Sequence, residues 1–265
     1  MQAMIFAAGL GTRLRPLTNT KPKALVEING KTLLERNIEK MLSYGIKKIV
    51  VNIHHFPTLM IEAIEKIEKK YDCQLIISDE RDLLLDTGGG LLKAKKYFFE
   101  NDSVKKDNIA VSSNDNFLTK ENLSTTSEDD LILLHNVDIL SDIDFMEMKK
   151  EFLNTNPIAL LAVKNRQTKR YFVFNESNVL SGWTNIETNE SIMTRNCEKK
   201  QLFAFSGVHL VRRKIFDLIE QKGVFSIKDT YLQLSCNQII KPFVHEGKWL
   251  DVGRIEAIEK AEKMF

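Results

Sequence analysis

The sequence predicts an α/β fold, a mixed and mostly parallel sheet flanked by helices with a small antiparallel β patch. Three observations carry this. Continuously apolar runs such as Met4-Ile5-Phe6-Ala7-Ala8 and Ile49-Val50-Val51 have the character of strands buried on both faces. Helix-length amphipathic segments alternate with them in a β-α-β-α-β order. Between residues 171 and 211 the helical period gives way to short β-rich pieces and polar turns.

Taken in order, residues 3–8 read as the first strand, 32–44 as a helix, 48–52 as a strand, 59–69 as a helix and 74–78 as a strand. Right-handed crossovers join such units. Residues 88–98 read as a helix, 131–135 as a strand, 145–153 as a helix and 158–163 as a strand. Tyr171-Phe172-Val173-Phe174 and Leu202-Phe203-Ala204-Phe205 supply the antiparallel patch. A helix over 254–265 closes the chain, with Ile255, Ile258 and Ala261 as its apolar stripe. Residues 101–130, rich in Ser, Asn, Thr and Asp, read as a polar surface insertion with at most a short strand at 109–111. The whole of 1–265 is expected to form a single domain, because one core stops growing only near about 250–300 residues.

Composition narrows the function. The 38 Lys and Arg against 36 Asp and Glu give a net charge of +2, too even for a protein held on nucleic acid by counterion release. Small phosphorylated ligands need only a local nest of amides and a few cations. Cys73, Cys197 and Cys236 form no close pair, so neither a disulfide framework nor a CxxC metal site is expected, and a reducing, cytoplasmic setting fits. The N-terminal apolar stretch is short and interrupted by Gly9 and Arg13, which argues against a signal peptide or membrane span.

The sharpest motif is Ala7-Ala8-Gly9-Leu10-Gly11-Thr12-Arg13-Leu14-Arg15-Pro16-Leu17-Thr18, followed by Lys21-Pro22-Lys23. Two glycines after a buried strand let main-chain amides converge on phosphate oxygens and let a bulky ligand approach. Arg13 would offer a bidentate fork and Lys23 a point charge. A dinucleotide fingerprint requires a third glycine where Leu14 stands and an immediate helix, whereas 15–18 and Lys21-Pro22 are expected to keep the segment extended. A Walker loop is absent. Two glycines alone also read as a structural turn, and it is the length of the surrounding pattern that favours a ligand. Asp138 ends the buried run 131–138, where ligands meet open α/β sheets, although an isolated Asp there also serves as a cap or ion-pair partner. His54-His55 are adjacent and would face opposite ways on a strand, which discourages chelation. His135, His209 and His245 read as satisfied core histidines, and Trp183 and Trp249 as core packing.

The motif at 9–18 with Pro22-Lys23 resembles the Gly-x-Gly-Thr-Arg-Leu-x-Pro-Leu-Thr signature of the sugar-1-phosphate nucleotidyltransferases, or nucleoside-diphosphate-sugar pyrophosphorylases. The likeness runs from Met4 to the last helix, apart from 101–130. It is strongest to short members such as N-acetylmuramate-1-phosphate uridylyltransferases and mannose- or heptose-1-phosphate guanylyltransferases. The resemblance implies a Rossmann-like fold of the nucleotide-diphospho-sugar transferase type and transfer of a nucleotidyl group to a sugar 1-phosphate, with release of pyrophosphate. It implies Mg²⁺ held by Asp138 and by Asp251, in Trp249-Leu250-Asp251-Val252-Gly253, with Arg13 and Lys23 completing the catalytic set. It further implies nucleotide contacts from Ala8, Gly9, Gly11, Thr12, Arg13, Lys23, Thr87 and Gly88, and sugar contacts from Gly89, Asn136 and Glu80. Leu85-Asp86-Thr87-Gly88-Gly89-Gly90 resembles the family's Gly-rich helix start, whose free amides would face ligand. The expected partners are a nucleoside triphosphate and a sugar 1-phosphate, without nucleic acid or membrane, for a monomer or homodimer.

The chain departs from the family pattern at Val137, where glycine is common, and at Arg254, where Thr or Ser is common. The Glu-Lys-Pro sugar motif is reduced to Cys197-Glu198-Lys199-Lys200. Two other functions compete. A non-catalytic nucleotide-sugar-binding regulator of the same fold had no need to keep Arg13, Lys23, Asp138 and Asp251 together. A dinucleotide-dependent oxidoreductase is disfavoured by Leu14 and by the lack of an acidic ribose ligand after the second strand.

Overall fold

A computed structural model describes residues 1–99 and 130–265. Strand β1 (Gln2–Phe6) lies inside the main sheet. Its Ala3 and Ile5 enter the core on one face, and Met4 and Phe6 the core on the other, which is why the run is continuously apolar. The segment after β1 departs from the extended course expected of it. It folds into three short 3-10 turns, Thr12–Leu14, Leu17–Asn19 and Lys23–Leu25. Prolines and β-biased residues discourage a long helix here, but single turns need only local φ/ψ compatible with proline.

A hairpin of β2 (Glu27–Ile28) and β3 (Lys31–Thr32) leads into α1 (Leu33–Ser43), which starts where the Thr32 hydroxyl accepts the Glu35 amide at 3.1 Å. Then follow β4 (Lys48–Ile53), α2 (Pro57–Lys70), β5 (Gln74–Asp79), α3 (Asp86–Phe99), β6 (Leu131–Asn136), β7 (Ile139–Ser141), α4 (Phe145–Thr155) and β8 (Ala159–Lys164). The chain continues through β9 (Arg170–Phe174), β10 (Leu180–Asn185), β11 (Glu190–Met193), β12 (Gln201–Arg212), α5 (Ile215–Leu218), α6 (Ile227–Ser235), β13 (Ile240–Val244), β14 (Trp249–Asp251) and α7 (Glu256–Met264). Helices α1, α2, α4 and α7 contribute to one core, and α3, α5 and α6 to the other. The expected insertion at 101–130, with its strand at 109–111, lies outside the described residues apart from Asp130, which pairs with Arg212 at 3.5 Å and Arg213 at 3.6 Å. Among the described residues no helix is long and apolar enough to cross a membrane.

Strands β5, β4, β1 and β6 run parallel in that spatial order. Strand β12 pairs antiparallel with β6, and β8 adds antiparallel to β12 with β13 parallel beside it. The antiparallel patch is real, and its key member is longer than the short pieces expected. β12 spans 12 residues, its end pairing with β6 and its start with β9, and β10 and β11 extend the patch from there. Its register on β8 shifts between Phe205 and His209, where Gly207 adopts φ +73°. After β1 the chain builds outward to β4 and β5 on one side, while β6 flanks β1 on the other. That reversal leaves a crevice at the C-terminal ends of β1 and β6.

Candidate active site

The two expected acidic residues converge at this crevice. Strand β6 stops at Asn136, so Asp138 stands in a turn rather than at the strand's last position, held by Val137 N–H donating to Phe6 O at 3.1 Å and Asn37 Nδ2 donating to Val137 O at 2.8 Å. Antiparallel pairing of β14 with β7 sets Asp251 opposite Ile139, and Val252 N–H donates to Asp138 O at 2.8 Å. Lys23, only 8% exposed, donates from Nζ to Asp138 Oδ2, and Arg13 Nη2 lies 4.0 Å from Asp251 Oδ2. Burial raises the Asp251 pKa, and the charge of Asp138 raises it further, against the pull of Lys23, Arg13 and Arg166.

Asp251 Oδ1 is buried without a hydrogen-bond partner. Such an oxygen costs about 1–3 kcal/mol unless something satisfies it. A hard cation with oxygen preference fits, since Mg²⁺ takes one or two carboxylates and completes its shell from water and substrate phosphates. Among the described residues there is no group of three or more His, Cys, Asp and Glu able to hold a metal, which sets this pair apart from a zinc-type cage.

The glycine loop divides into a tethered root and an open rim. Asn52, at the end of β4, accepts the amides of Ala7 at 2.7 Å and Ala8 at 3.3 Å through Oδ1. The Ala8 amide is therefore engaged, and Ala8 reaches the crevice only as a lining residue. Among the described residues no acceptor meets the amides of Gly9 or Gly11. Gly11 sits at φ +63°, and a Cβ there would come within 3.0 Å of Lys23 Cβ and Thr18 Cγ2. The Thr18 hydroxyl fixes the turn by donating to Gly11 O at 2.8 Å. Gly9 has a negative φ and nothing within 4 Å of its missing Cβ, so neither backbone nor packing demands glycine. Thr12 and Arg13 are exposed in the following turn.

A cavity of about 400 Å³ extends from Gly9, Lys23 and Asp138 past Asn136 and Thr87 to Glu80. Glu80 is fully buried, its Oε1 accepting Asn52 Nδ2 at 2.8 Å and its Oε2 accepting the Leu85 amide at 3.1 Å, and burial raises its pKa. Thr87 lines the cavity while its hydroxyl accepts the Ile227 amide at 3.0 Å. The expectation for Gly88 and Gly89 is corrected. Their amides are not free, because both donate to Phe225 O, at 2.9 and 3.1 Å. A Cβ on Gly88 would lie 2.4 Å from the Phe225 ring, and one on Gly89 2.3 Å from Gly223 O. Gly90 leaves room for the Glu80 carboxylate, 2.7 Å from its would-be Cβ. This glycine run packs α3 against the loop before α6, and does not present amides to a ligand.

Gly9→Ala is accordingly expected to leave the thermal midpoint unchanged while weakening triphosphate binding, whereas Gly88→Ala should cost about 1–3 kcal/mol of stability through overpacking. Thermal melts paired with nucleotide titrations of both variants check this.

Sequence reasoning missed Asn52, although a polar residue inside Ile49-Val50-Val51-Asn52-Ile53 signals a built partner set. It also missed Arg166, whose guanidinium lies 4.1 Å from the Trp249 ring centroid. Trp249 is half-buried rather than core, with Nε1 donating to Ser206 O at 2.8 Å, while Trp183 is buried as expected. The core histidines are only half satisfied. Each bonds through one ring nitrogen, to Asn136 O, Tyr231 Oη and Ser206 Oγ, and leaves the other without a partner. Burial lowers the pKa of His135 to about 4, His209 to about 3 and His245 to about 4, so all three stay neutral.

A family model described as nucleotidyl transferase matches residues 2–265. The chain is 27% identical over 259 residues to a mannose-1-phosphate guanyltransferase of Yarrowia lipolytica, covering 96% of this chain and 61% of that protein. It thus spans about three fifths of the length of the guanyltransferases it matches. Over 93 residues it is 45% identical to an N-acetylmuramate alpha-1-phosphate uridylyltransferase of Caulobacter vibrioides, covering 35% of this chain and 38% of that one. Among solved structures, HddC from Yersinia pseudotuberculosis complexed with GMP-PN superposes with TM-score 0.70 at 18% identity, covering 99% and 98% of the two chains. The inositol-1-phosphate CTP transferase of T. maritima does so with TM-score 0.67 at 16% identity, covering 99% and 96%. At these identities the structural likeness shows a shared fold.

Proposed function

We propose, from the premise that the chain belongs to the nucleotidyl transferase family, that it transfers a nucleotidyl group from a nucleoside triphosphate to a sugar 1-phosphate. A phosphate oxygen of the sugar 1-phosphate bonds to the α-phosphorus, the bond from that phosphorus to the bridging oxygen breaks, and pyrophosphate leaves with the electron pair. The reading rests on one observation above the others. Asp138 and Asp251, distant in sequence, are joined by backbone pairing beside the glycine loop, each with a cation at hand, and Asp251 Oδ1 is buried without a partner.

Asp138 and Asp251 would hold Mg²⁺, which when bound neutralises charge on the transferring phosphoryl group. Lys23 would then exchange its grip on Asp138 for a phosphate oxygen, and Arg13 would swing from Asp251 to the same group. The amides of Gly9 and Gly11, with Thr12 beside them, would receive the triphosphate, and Ala8 and Thr87 would wall the nucleoside. Asn136 and Glu80 would bound the sugar or base. The reaction asks mainly for alignment and charge cancellation, which such fixed groups supply without reorganising.

Two substrate pairings lead: N-acetylmuramate or a hexose 1-phosphate with UTP, and mannose or heptose 1-phosphate with GTP. We also assign 1–265 as one nucleotidyltransferase domain, monomeric or homodimeric, in the cytoplasm, a setting that suits its free cysteines. Purified protein, offered each common nucleoside triphosphate with each of a panel of sugar 1-phosphates, is expected to release pyrophosphate with Mg²⁺ for one pairing above the rest. Nucleotide-sugar binding without turnover for any pairing would instead favour the non-catalytic regulator.

A further inference from the structure

A second cavity, of about 650 Å³, shares no lining residue with the first. Asp138 lines the first and Asp251 the second, so the two meet across the acidic pair. Their charges are opposite in balance. The first sets Lys23 against Glu80, Asp86 and Asp138, and Lys23 is already bound to Asp138. The second sets Arg13, Arg166, Arg254 and Lys260 against Asp251 and Glu256. The side chains of Arg254 and Lys260 have no hydrogen-bond or ion-pair partner among the described residues. Arg166 is fixed by its stacking on Trp249 and by Nη2 donating to Phe205 O at 3.1 Å, yet its Nε is buried without a partner. Gly253 keeps the passage open, since a Cβ there would lie 2.5 Å from Asp251 Oδ1 and 2.8 Å from Arg13 Nη2.

A multiply charged phosphate chain placed wholly in the first cavity would face three carboxylates around one engaged lysine. Placed across the acidic pair, it leaves the nucleoside in the less cationic cavity and carries its outer phosphates into a positive field. Guanidinium forks match phosphate oxygens bidentately, and a lysine adds a point charge.

We propose that the second cavity is a seat for a polyphosphate anion, in which Arg254 and Lys260, with Arg166 behind them, hold the pyrophosphate portion of the triphosphate and then the released pyrophosphate. This rests on the nucleotidyl-transfer reading and assigns new residues to it, Arg254 just before the last helix and Lys260 within it.

The test is calorimetric titration of the full chain with inorganic pyrophosphate and Mg²⁺, beside a nucleoside monophosphate and a sugar 1-phosphate. The double variant Arg254→Ala with Lys260→Ala is expected to weaken pyrophosphate binding by about tenfold or more, as loss of charged hydrogen bonds does. Nucleoside monophosphate binding should be unchanged, and Arg254→Lys with Lys260 intact should recover most of the affinity. Both side chains are exposed, so folding is not at risk. Unaltered pyrophosphate affinity in the double variant overturns the proposal, as does a loss confined to sugar 1-phosphate. Wild-type protein that turns over but does not bind pyrophosphate overturns the seat and leaves the transfer reading standing. Pyrophosphate binding of the expected kind without turnover for any pairing supports the seat and counts against the transfer reading alone.

Discussion

Asp251→Asn and Asp138→Asn are each expected to cut the rate of pyrophosphate release by about a thousandfold or more, the several kcal/mol a carboxylate-held metal supplies at a developing charge. The same substitutions should leave the chain folded. Asn keeps the shape of Asp, and the backbone bond between Val252 and Asp138 does not involve either side chain. Asp251 carries a further signature. Its pKa is raised, first by burial and then by Asp138, so its ionised form is disfavoured where it stands. A neutral isostere removes that cost, and the thermal midpoint of Asp251→Asn should match or exceed that of the wild type while turnover collapses. Stability held back for the sake of activity is what a functional charge produces. Thermal melts run beside a pyrophosphate-release assay separate the two effects. Full turnover in both variants would remove the acidic pair from the chemistry.

Lys23→Ala is expected to lower kcat/KM for the triphosphate by about a hundredfold, the scale on which one preorganised electrostatic contact acts. Lys23 reaches Asp138 from the third 3-10 turn, with its side chain only 10% exposed. Its removal leaves Asp138 with an uncompensated charge in a partly buried place, so stability should fall as well, by about 1–3 kcal/mol. Adding Asp138→Asn to Lys23→Ala should restore stability without restoring turnover. A double variant that regains both would mean that the lysine serves only to hold the fold.

The sheet and its helices were legible because buried parallel strands and amphipathic helices leave strong patterns, and Met4-Ile5-Phe6 and Ile49-Val50-Val51 are strands in the structure. The turn from Thr12 to Leu25 was not, because prolines exclude long helices without excluding single 3-10 turns. Asp138 and Asp251 were legible as types, but what joins them is the pairing of β7 with β14, two three-residue strands too short to leave a period. The run Gly88-Gly89-Gly90 misled for a definite reason. Glycine marks close approach by any neighbour, and here the neighbours are Phe225, Gly223 and Glu80. Gly9 is the contrary case, a glycine that neither its backbone conformation nor any neighbouring atom requires. The basic cavity was illegible because Arg13, Arg166 and the pair Arg254 and Lys260 come from three widely separated stretches of chain.

Whether Asp138 and Asp251 together hold a cation at the glycine loop is read by Mn²⁺ binding followed by electron paramagnetic resonance, in the presence of a non-hydrolysable nucleoside triphosphate. One ion per chain is expected for the wild type, with binding lost in Asp138→Asn and in Asp251→Asn and the native fold kept. Undiminished Mn²⁺ binding in both variants would mean that the acidic pair is not the ion's site.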